Sequence, residues 1–597
     1  MTSETAPSDP TAEPAAPAKP TKPAAGATPS RLERARGDAS AAIWTLCAGY
    51  LAIELAYILH GPLVMDEFQG AFAVERLAHE VPYRDYQPYK TVLGYYLQWP
   101  ALALASALGL DLWGRMLAVK LAMASATAGV LLVAALRLRR FVDPLAVALG
   151  LALLVCMSTF LERSAALRVD MLTALFGLAS LMALLDQRTR RAGLLAGLSF
   201  LVSQKGIYYA LAGGVGLGFD WLWALRAGSD DRGARLRRGV EFTLFAGLPV
   251  ALYFGGFASL TSGSTLSDGV VASAGRIALD GFADMSHFWL QTIARNPAFY
   301  AALVAGLGVL SAARRGAGGA GTRDRVLLGY GAVLLGLCLW HRQPWPYFFV
   351  LLLPTGFVLA SRALETALEQ LSHRPLRALQ LATAAFVVVG ILLPLSRVPR
   401  VLTRDNQAQR TTVELASRTL EPGDAYLGGL EFVFTHRQVP GLSWLDAQRL
   451  AALAAQPPSD LARLEERIEQ ARPRLVIWNY RIARLPEALL SGIKQSHAPL
   501  FGNLLIYSPT LATGEQEVDV WFSGRYALSG PGGGAVEIDG AQVRVGDEVR
   551  LAPGMHRAVA GAGYRLHLVP DEIEQHLAGV DPALARPRPL FEAPYRY

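Results

Sequence analysis

Met65-Asp66-Glu67 sets two adjacent carboxylates directly after the first long apolar stretch, Ala41 to Leu59. Carboxylates at a bilayer edge are costly to desolvate, and they can act as a general base, a metal ligand or a partner for a cationic group. An isolated pair would read as solvated loop acids. This pair has company. The same connection carries Glu75, Arg76, Arg84, Asp85 and Lys90, and later connections carry Glu162, Arg163, Arg168 and Asp170, then Gln204-Lys205-Gly206, then Asp268, Arg276, His287 and Arg295, then His341-Arg342-Gln343. Mixed charge of this kind suits a site in which a carboxylate activates a neutral hydroxyl while cations hold a phosphate leaving group.

The elements that position these residues are membrane spans. Of 597 residues 52% are hydrophobic and 18% charged, and the mean hydropathy is +0.29, so most of the chain belongs in lipid. Apolar runs of spanning length recur from Ala41 to Leu395, and about eleven transmembrane helices are expected in a polytopic α-helical membrane protein. Residues 1–38, rich in Pro, Ala and Thr, read as a disordered cytoplasmic tail. The short apolar segment Leu93 to Gly109 decides the parity. If it lies along the surface, the connections on one side hold 18 Lys/Arg in 54 residues and those on the other 9 in 109, which places the N-terminus inside and every charged connection named above outside. The net charge of +7 is spread in blocks between spans and reflects topology, not nucleic-acid binding. Cys47, Cys156 and Cys338 all sit in apolar segments and imply neither a disulfide framework nor a CxxC metal site.

Met65-Asp66-Glu67-Phe68, then Ala71 and Glu75, Val81-Pro82-Tyr83-Arg84-Asp85-Tyr86 and Gly94-Tyr95-Tyr96 resemble the first outer loop of GT-C glycosyltransferases. The likeness is to the branch holding protein O-mannosyltransferases and lipid A aminoarabinose transferases. Arg168-Val169-Asp170 and Gln204-Lys205-Gly206 are similar to further landmarks of that family, in the same order. The resemblance covers residues 41–395 and implies transfer of a sugar from a polyprenyl-phosphate donor to a glycan, lipid or protein acceptor, on the outer face of a bacterial inner membrane. It implies Asp66 as the catalytic carboxylate, supported by Glu67 and Asp170. Lys90 is the match to the family's phosphate-contacting lysine, with Arg84, Tyr95, Arg168, Lys205, Arg276 and His287 as substrate contacts and Arg295 an alternative to Arg276. Some relatives carry a Glu where this sequence has Tyr89. A divalent metal ion is therefore left open as a cofactor, with Glu67, Asp170 and His287 as hard or borderline ligands at no recognisable metal spacing.

Bland readings stand beside these. Arg168 and Asp170 also fit an exposed salt bridge, Lys205 a snorkelling interface lysine, His287 a solvated residue, and Trp340, Trp345, Tyr347, Phe348 and Phe349 an aromatic interface belt. Beyond Leu395 the composition turns soluble. Residues 397–510 are expected to form an extracytoplasmic α/β unit, and 511–597 a β-sandwich-like unit and tail. The glycine run 532–534 lacks the Lys-Ser/Thr of a phosphate loop and reads as a hairpin. Two rival functions remain at this stage, a flippase for lipid-linked saccharides and an inactive glycan-binding scaffold.

Overall fold

The computed structural model describes residues 31–86, 88, 90–260, 287–313, 321–341, 344–399, 403 and 405–591. Ten helices lead from the N-terminal side to residue 258: α1 (Arg31–His60), α2 (Met65–Arg76), α3 (Leu93–Ala107), α4 (Leu112–Leu138), α5 (Pro144–Val155), α6 (Ser158–Arg163), α7 (Asp170–Leu185), α8 (Thr189–Val202), α9 (Ile207–Arg226) and α10 (Arg232–Ala258). Further helices follow at His287–Arg295, Pro297–Ala313, Thr322–Trp340 and Leu353–Ser372.

Among the described residues four helical segments, Asp38–His60, α4, α10 and Leu376–Leu395, are long and apolar enough to cross a bilayer, or five if the sharply bent pair His287–Arg295 and Pro297–Ala313 is one span. That differs from the eleven expected. Apolar runs in the sequence merge elements that the fold separates: the run from Pro144 to Phe160 is α5, a break at Cys156 and Met157, and then the short α6. Helix α7 is 16 residues long and buries most of its circumference, so its apolarity serves packing between helices as much as contact with lipid. The ambiguous segment after Val92 is a helix, α3, whose Gly94, Tyr95 and Gln98 are buried.

Past residue 405 the chain is α/β and then all-β. Strands β1 (Ala425–Leu427), β2 (Arg437–Gln438), β3 (Pro473–Ile477), β4 (His497–Phe501) and β5 (Leu504–Tyr507) form one sheet in the order β2-β1-β3-β5-β4. The β2-β1-β3 half is parallel and the rest antiparallel. Two four-stranded antiparallel sheets follow, β10-β9-β12-β7 and β11-β8-β13-β6, from β6 (Thr510–Leu511), β7 (Gly514–Val520), β8 (Gly524–Ser529), β9 (Ala535–Ile538), β10 (Ala541–Arg544), β11 (Glu548–Leu551), β12 (Gly554–Ala560) and β13 (Tyr564–Val569). Gly532 takes φ +67 in the loop between β8 and β9, which suits glycine in a tight connection.

This region grips the connection between α1 and α2. Asn406 donates to the carbonyls of Leu59 and Gly61, and Gln409 exchanges hydrogen bonds with both the N–H and the carbonyl of Leu63. Phe432 and Phe591 pack on Phe68 of α2. Beside Phe432, Glu431 is buried and accepts from Gln438 at 2.9 Å. Burial pushes its carboxyl up to about 7, against the opposing pull of Gln438 and of Arg76 on α2. The folded state thus holds this proton more tightly than an unfolded chain, whose value is near 4.5. The associated stability is fully present below that unfolded value and is lost as pH rises through about 7. The loss is on the order of 3 kcal/mol, and thermal melts at pH 5 and pH 8 are expected to differ accordingly, with Glu431→Gln flattening the dependence.

Candidate active site

The site is assembled where α2, α7 and the turn before α9 meet. Asp66 and Glu67 fall in the first turn of α2, where negative charge complements the helix dipole. Their side chains part company. Asp66 is ion-paired with Arg168 and is 30% exposed. Glu67 turns inward, 3% exposed, and meets Lys120 Nζ of α4 at 2.5 Å. Its other oxygen accepts from Val64 N–H at 2.8 Å, closing the start of α2 as an N3 glutamate does.

The same Glu67 carboxylate accepts from Leu167 N–H at 3.0 Å. Neighbouring residues of one loop therefore hold neighbouring residues of the other, Asp66 on Arg168 and Glu67 on Leu167. Close packing completes the grip. A Cβ on Gly70 would lie 2.3 Å from the Leu167 carbonyl oxygen, and one on Gly94 would lie 2.5 Å from Val169 Cγ1. Gln98 of α3 donates to the Arg168 carbonyl at 3.0 Å.

Arg168 continues to Asp170, Nε to Oδ2 at 3.0 Å, and Asp170 accepts from Lys205 Nζ at 2.6 Å. Asp170 is 5% exposed, and the order Asp66–Arg168–Asp170–Lys205 alternates in charge. Tyr347 lies under this chain, its ring centroid 3.4 Å from the Arg168 guanidinium and 5.1 Å from Lys205 Nζ. Lys90 stands beside it. Its ammonium is 5.1 Å from the Tyr95 ring, has no carboxylate partner among the described residues, and lies close enough to Lys205 for the two charges to repel. The Lys90 backbone is fixed by Tyr83, whose hydroxyl donates to the Lys90 carbonyl at 2.7 Å and contacts the Tyr253 hydroxyl at 2.8 Å.

Asp66, Arg168, Asp170, Lys205, Lys90 and Tyr95 are thus together, and the other expected residues are elsewhere. Arg84 is spent on Asp85 at 2.8 Å on an exposed turn, where its hydrogen bond holds the Asp85 carboxyl down at about 2. His287 is exposed, its ring against Phe288, and none of its contacts reaches Asp66. Arg295 reaches Glu162 at 3.8 Å. Arg276 and Tyr89 lie outside the described residues. Among the described residues no three His, Cys, Asp or Glu side chains gather as metal ligands.

Three participants escaped the sequence reading. Tyr347, assigned above to an interface belt, touches the charged chain. Lys120 sits in an apolar helix 53 positions from its partner. Glu54 lies inside the first apolar stretch, 1% exposed, and accepts from Ser164 at 2.8 Å, which in turn accepts from Tyr50 at 2.9 Å. An ionisable residue within a span was the signal available for the last two.

ArnT from Cupriavidus metallidurans bound to undecaprenyl phosphate superimposes with a TM-score of 0.55 over 78% of this chain and 97% of its own, at 13% identity. The apo state of the same protein gives 0.54 over the same shares, at 14% identity. The fold is that of the GT-C membrane glycosyltransferases. The oligosaccharyltransferase of Archaeoglobus fulgidus in the apo form also matches this GT-C fold, with a TM-score of 0.50 over 85% of this chain and 76% of its own, at 12% identity. No family model and no curated protein sequence matches the chain.

Proposed function

We propose that this protein is an inverting glycosyltransferase of the bacterial inner membrane that moves a sugar from a polyprenyl-phosphate donor to an acceptor hydroxyl at the outer face, with Asp66 as the catalytic carboxylate. The observation that carries this reading is the pairing of a half-accessible carboxylate, Asp66, with an adjoining run of cations on the GT-C fold. A structural neighbour solved with undecaprenyl phosphate bound supports the donor class.

The chemistry follows from the side chains. The acceptor O–H donates to the free edge of the Asp66 carboxylate, which takes the proton as the oxygen attacks the anomeric carbon from the side opposite the phosphate. The bond from that carbon to the phosphate oxygen breaks, and the polyprenyl phosphate leaves with the electron pair. Lys90 holds the phosphate already in the bound donor, and Arg168 and Lys205 meet the charge that develops on it. Asp170 fixes the directions of both Arg168 and Lys205. Glu67, buried against Lys120, positions α2 and does not touch substrate. The glycan, lipid or protein acceptor enters on the Asp66 side, beside residues 405–591, which pack on α2 through Phe432 and Phe591.

Two measurements test the assignments beyond Asp66. Lys90→Met removes a charge-assisted contact to the phosphate and is expected to raise the KM for a polyprenyl-phosphate sugar about 10- to 100-fold, with kcat changed less. An unchanged KM removes Lys90 from the phosphate site. The face is tested with Asp85→Cys and Arg550→Cys in intact cells, where both thiols are expected to react with a membrane-impermeant reagent from outside. Labelling of either only after permeabilisation overturns the orientation.

A further inference from the structure

Helix α7 begins at Asp170 in the site and ends 16 residues later at Leu185, a rise of about 24 Å. At that far end a cavity of about 460 Å³ opens between the end of α4, the end of α7 and the start of the helix Thr322–Trp340. We propose that this cavity, on the face opposite Asp66, binds the headgroup of an anionic phospholipid.

The lining has two tiers. Arg140, Arg323 and Arg362 supply cations, and Leu138, Leu185 and Leu327, all buried, supply an apolar base. Among the described residues Asp324 is the one carboxylate that lines it, and Arg362 already holds Asp324 at 3.2 Å and also pairs with Glu365. Two arginines are left with charge to offer. Arg140 has no carboxylate partner among the described residues. Arg323 donates through Nε to the Leu185 carbonyl at 2.9 Å and packs on Phe141 at 4.4 Å, which orients it without neutralising it. Arg362 Nε is buried and has no hydrogen-bond partner among the described residues, so this guanidinium is not fully satisfied by protein.

Guanidinium forks match phosphate oxygens in pairs, so the chemistry recognised is a phosphate ester. A free phosphate would use the arginines and gain nothing from the leucines. A phospholipid uses both, its phosphate among the arginines and its glycerol and acyl carbons over the apolar base, as basic pockets between membrane helices do for anionic headgroups. Nothing in this site depends on the reaction at Asp66.

The test is native mass spectrometry of the full chain equilibrated with equal phosphatidylglycerol and phosphatidylcholine of the same acyl chains. The wild type is expected to retain phosphatidylglycerol with about tenfold preference, and the double variant Arg140→Gln/Arg323→Gln to lose that preference. Arg140→Gln alone, at an exposed position, is expected to lose part of it, which covers the case in which the double variant fails to fold. Arg237→Gln, an exposed arginine outside the cavity, is expected to keep it. No preference in the wild type, equal preference in the Arg140→Gln and wild-type proteins, or equal loss with Arg237→Gln overturns the site. Full displacement of the lipid by millimolar inorganic phosphate overturns the lipid as its occupant.

Discussion

Asp66→Asn is expected to lower sugar transfer about 10²- to 10⁴-fold while leaving donor affinity nearly intact. Asparagine keeps the size of the side chain and keeps an oxygen that Arg168 can donate to, so the geometry of the Asp66–Arg168 contact survives. What is lost is the ability to take the acceptor proton. A steady-state comparison with saturating donor reads this as a fall in kcat, and donor binding by the same variant shows that the site is still built. If Asp66→Asn lost donor binding as severely as turnover, the role of Asp66 would be to hold Arg168 in place, and the base would have to be sought elsewhere.

The second large effect is expected at Glu67, for a different reason. Its carboxylate is 3% exposed and answers three donors, Lys120, Val64 N–H and Leu167 N–H. Removing one partner of a buried pair costs about 3–5 kcal/mol, because the other charge is left without compensation. Lys120→Met is therefore expected to be strongly destabilising on its own, since Glu67 then remains charged and buried. Lys120→Met combined with Glu67→Gln removes both charges and is expected to recover a good part of that loss, because glutamine can still accept from Leu167 N–H. Thermal melts of the two single variants and the double form a cycle that isolates the coupling. Additive losses would mean that the pair contributes nothing jointly and that Glu67 acts through its backbone contacts alone.

Much of this site was legible in the chain. Asp66, Arg168, Asp170, Lys205 and Lys90 are polar residues at the ends of apolar runs, and their order and sidedness mark them as members of one rim. Residue types alone do not say which of two adjacent acids turns inward and which stays accessible. That choice depends on the helix phase of α2 and on Lys120, which approaches Glu67 from another helix. Arg84 looked like a rim cation and is instead closed on its neighbour Asp85, a local pairing that competes with any substrate contact. Tyr347 has the composition of an interface residue, and only the turn before Leu353–Ser372 brings it under Arg168.

The fold shows the same division. The change from apolar helices to α/β and then to antiparallel sheets is visible in composition and alternation, as along Ala535–Ile538, Glu548–Leu551 and Tyr564–Val569. β12 is hard to read from the sequence because the apolar Met555 and Val559 face outward, on the side that alternation would make polar. The number of spans is harder to read, because hydropathy records burial without naming what does the burying. Inside a helical bundle a short helix such as α5 can be as apolar as one that crosses lipid.

The central claim, sugar transfer from a polyprenyl-phosphate carrier, is tested most directly by reconstituting the purified full chain in vesicles with a synthetic polyprenyl-phosphate sugar and membrane-derived acceptors. Release of free polyprenyl phosphate is then followed together with the glycosylated product. The expected result is equimolar release and glycosylation by the wild type, with both lost in Asp66→Asn. Donor that stays intact across a panel of such sugars, or release that is equal in the wild type and Asp66→Asn, would contradict it.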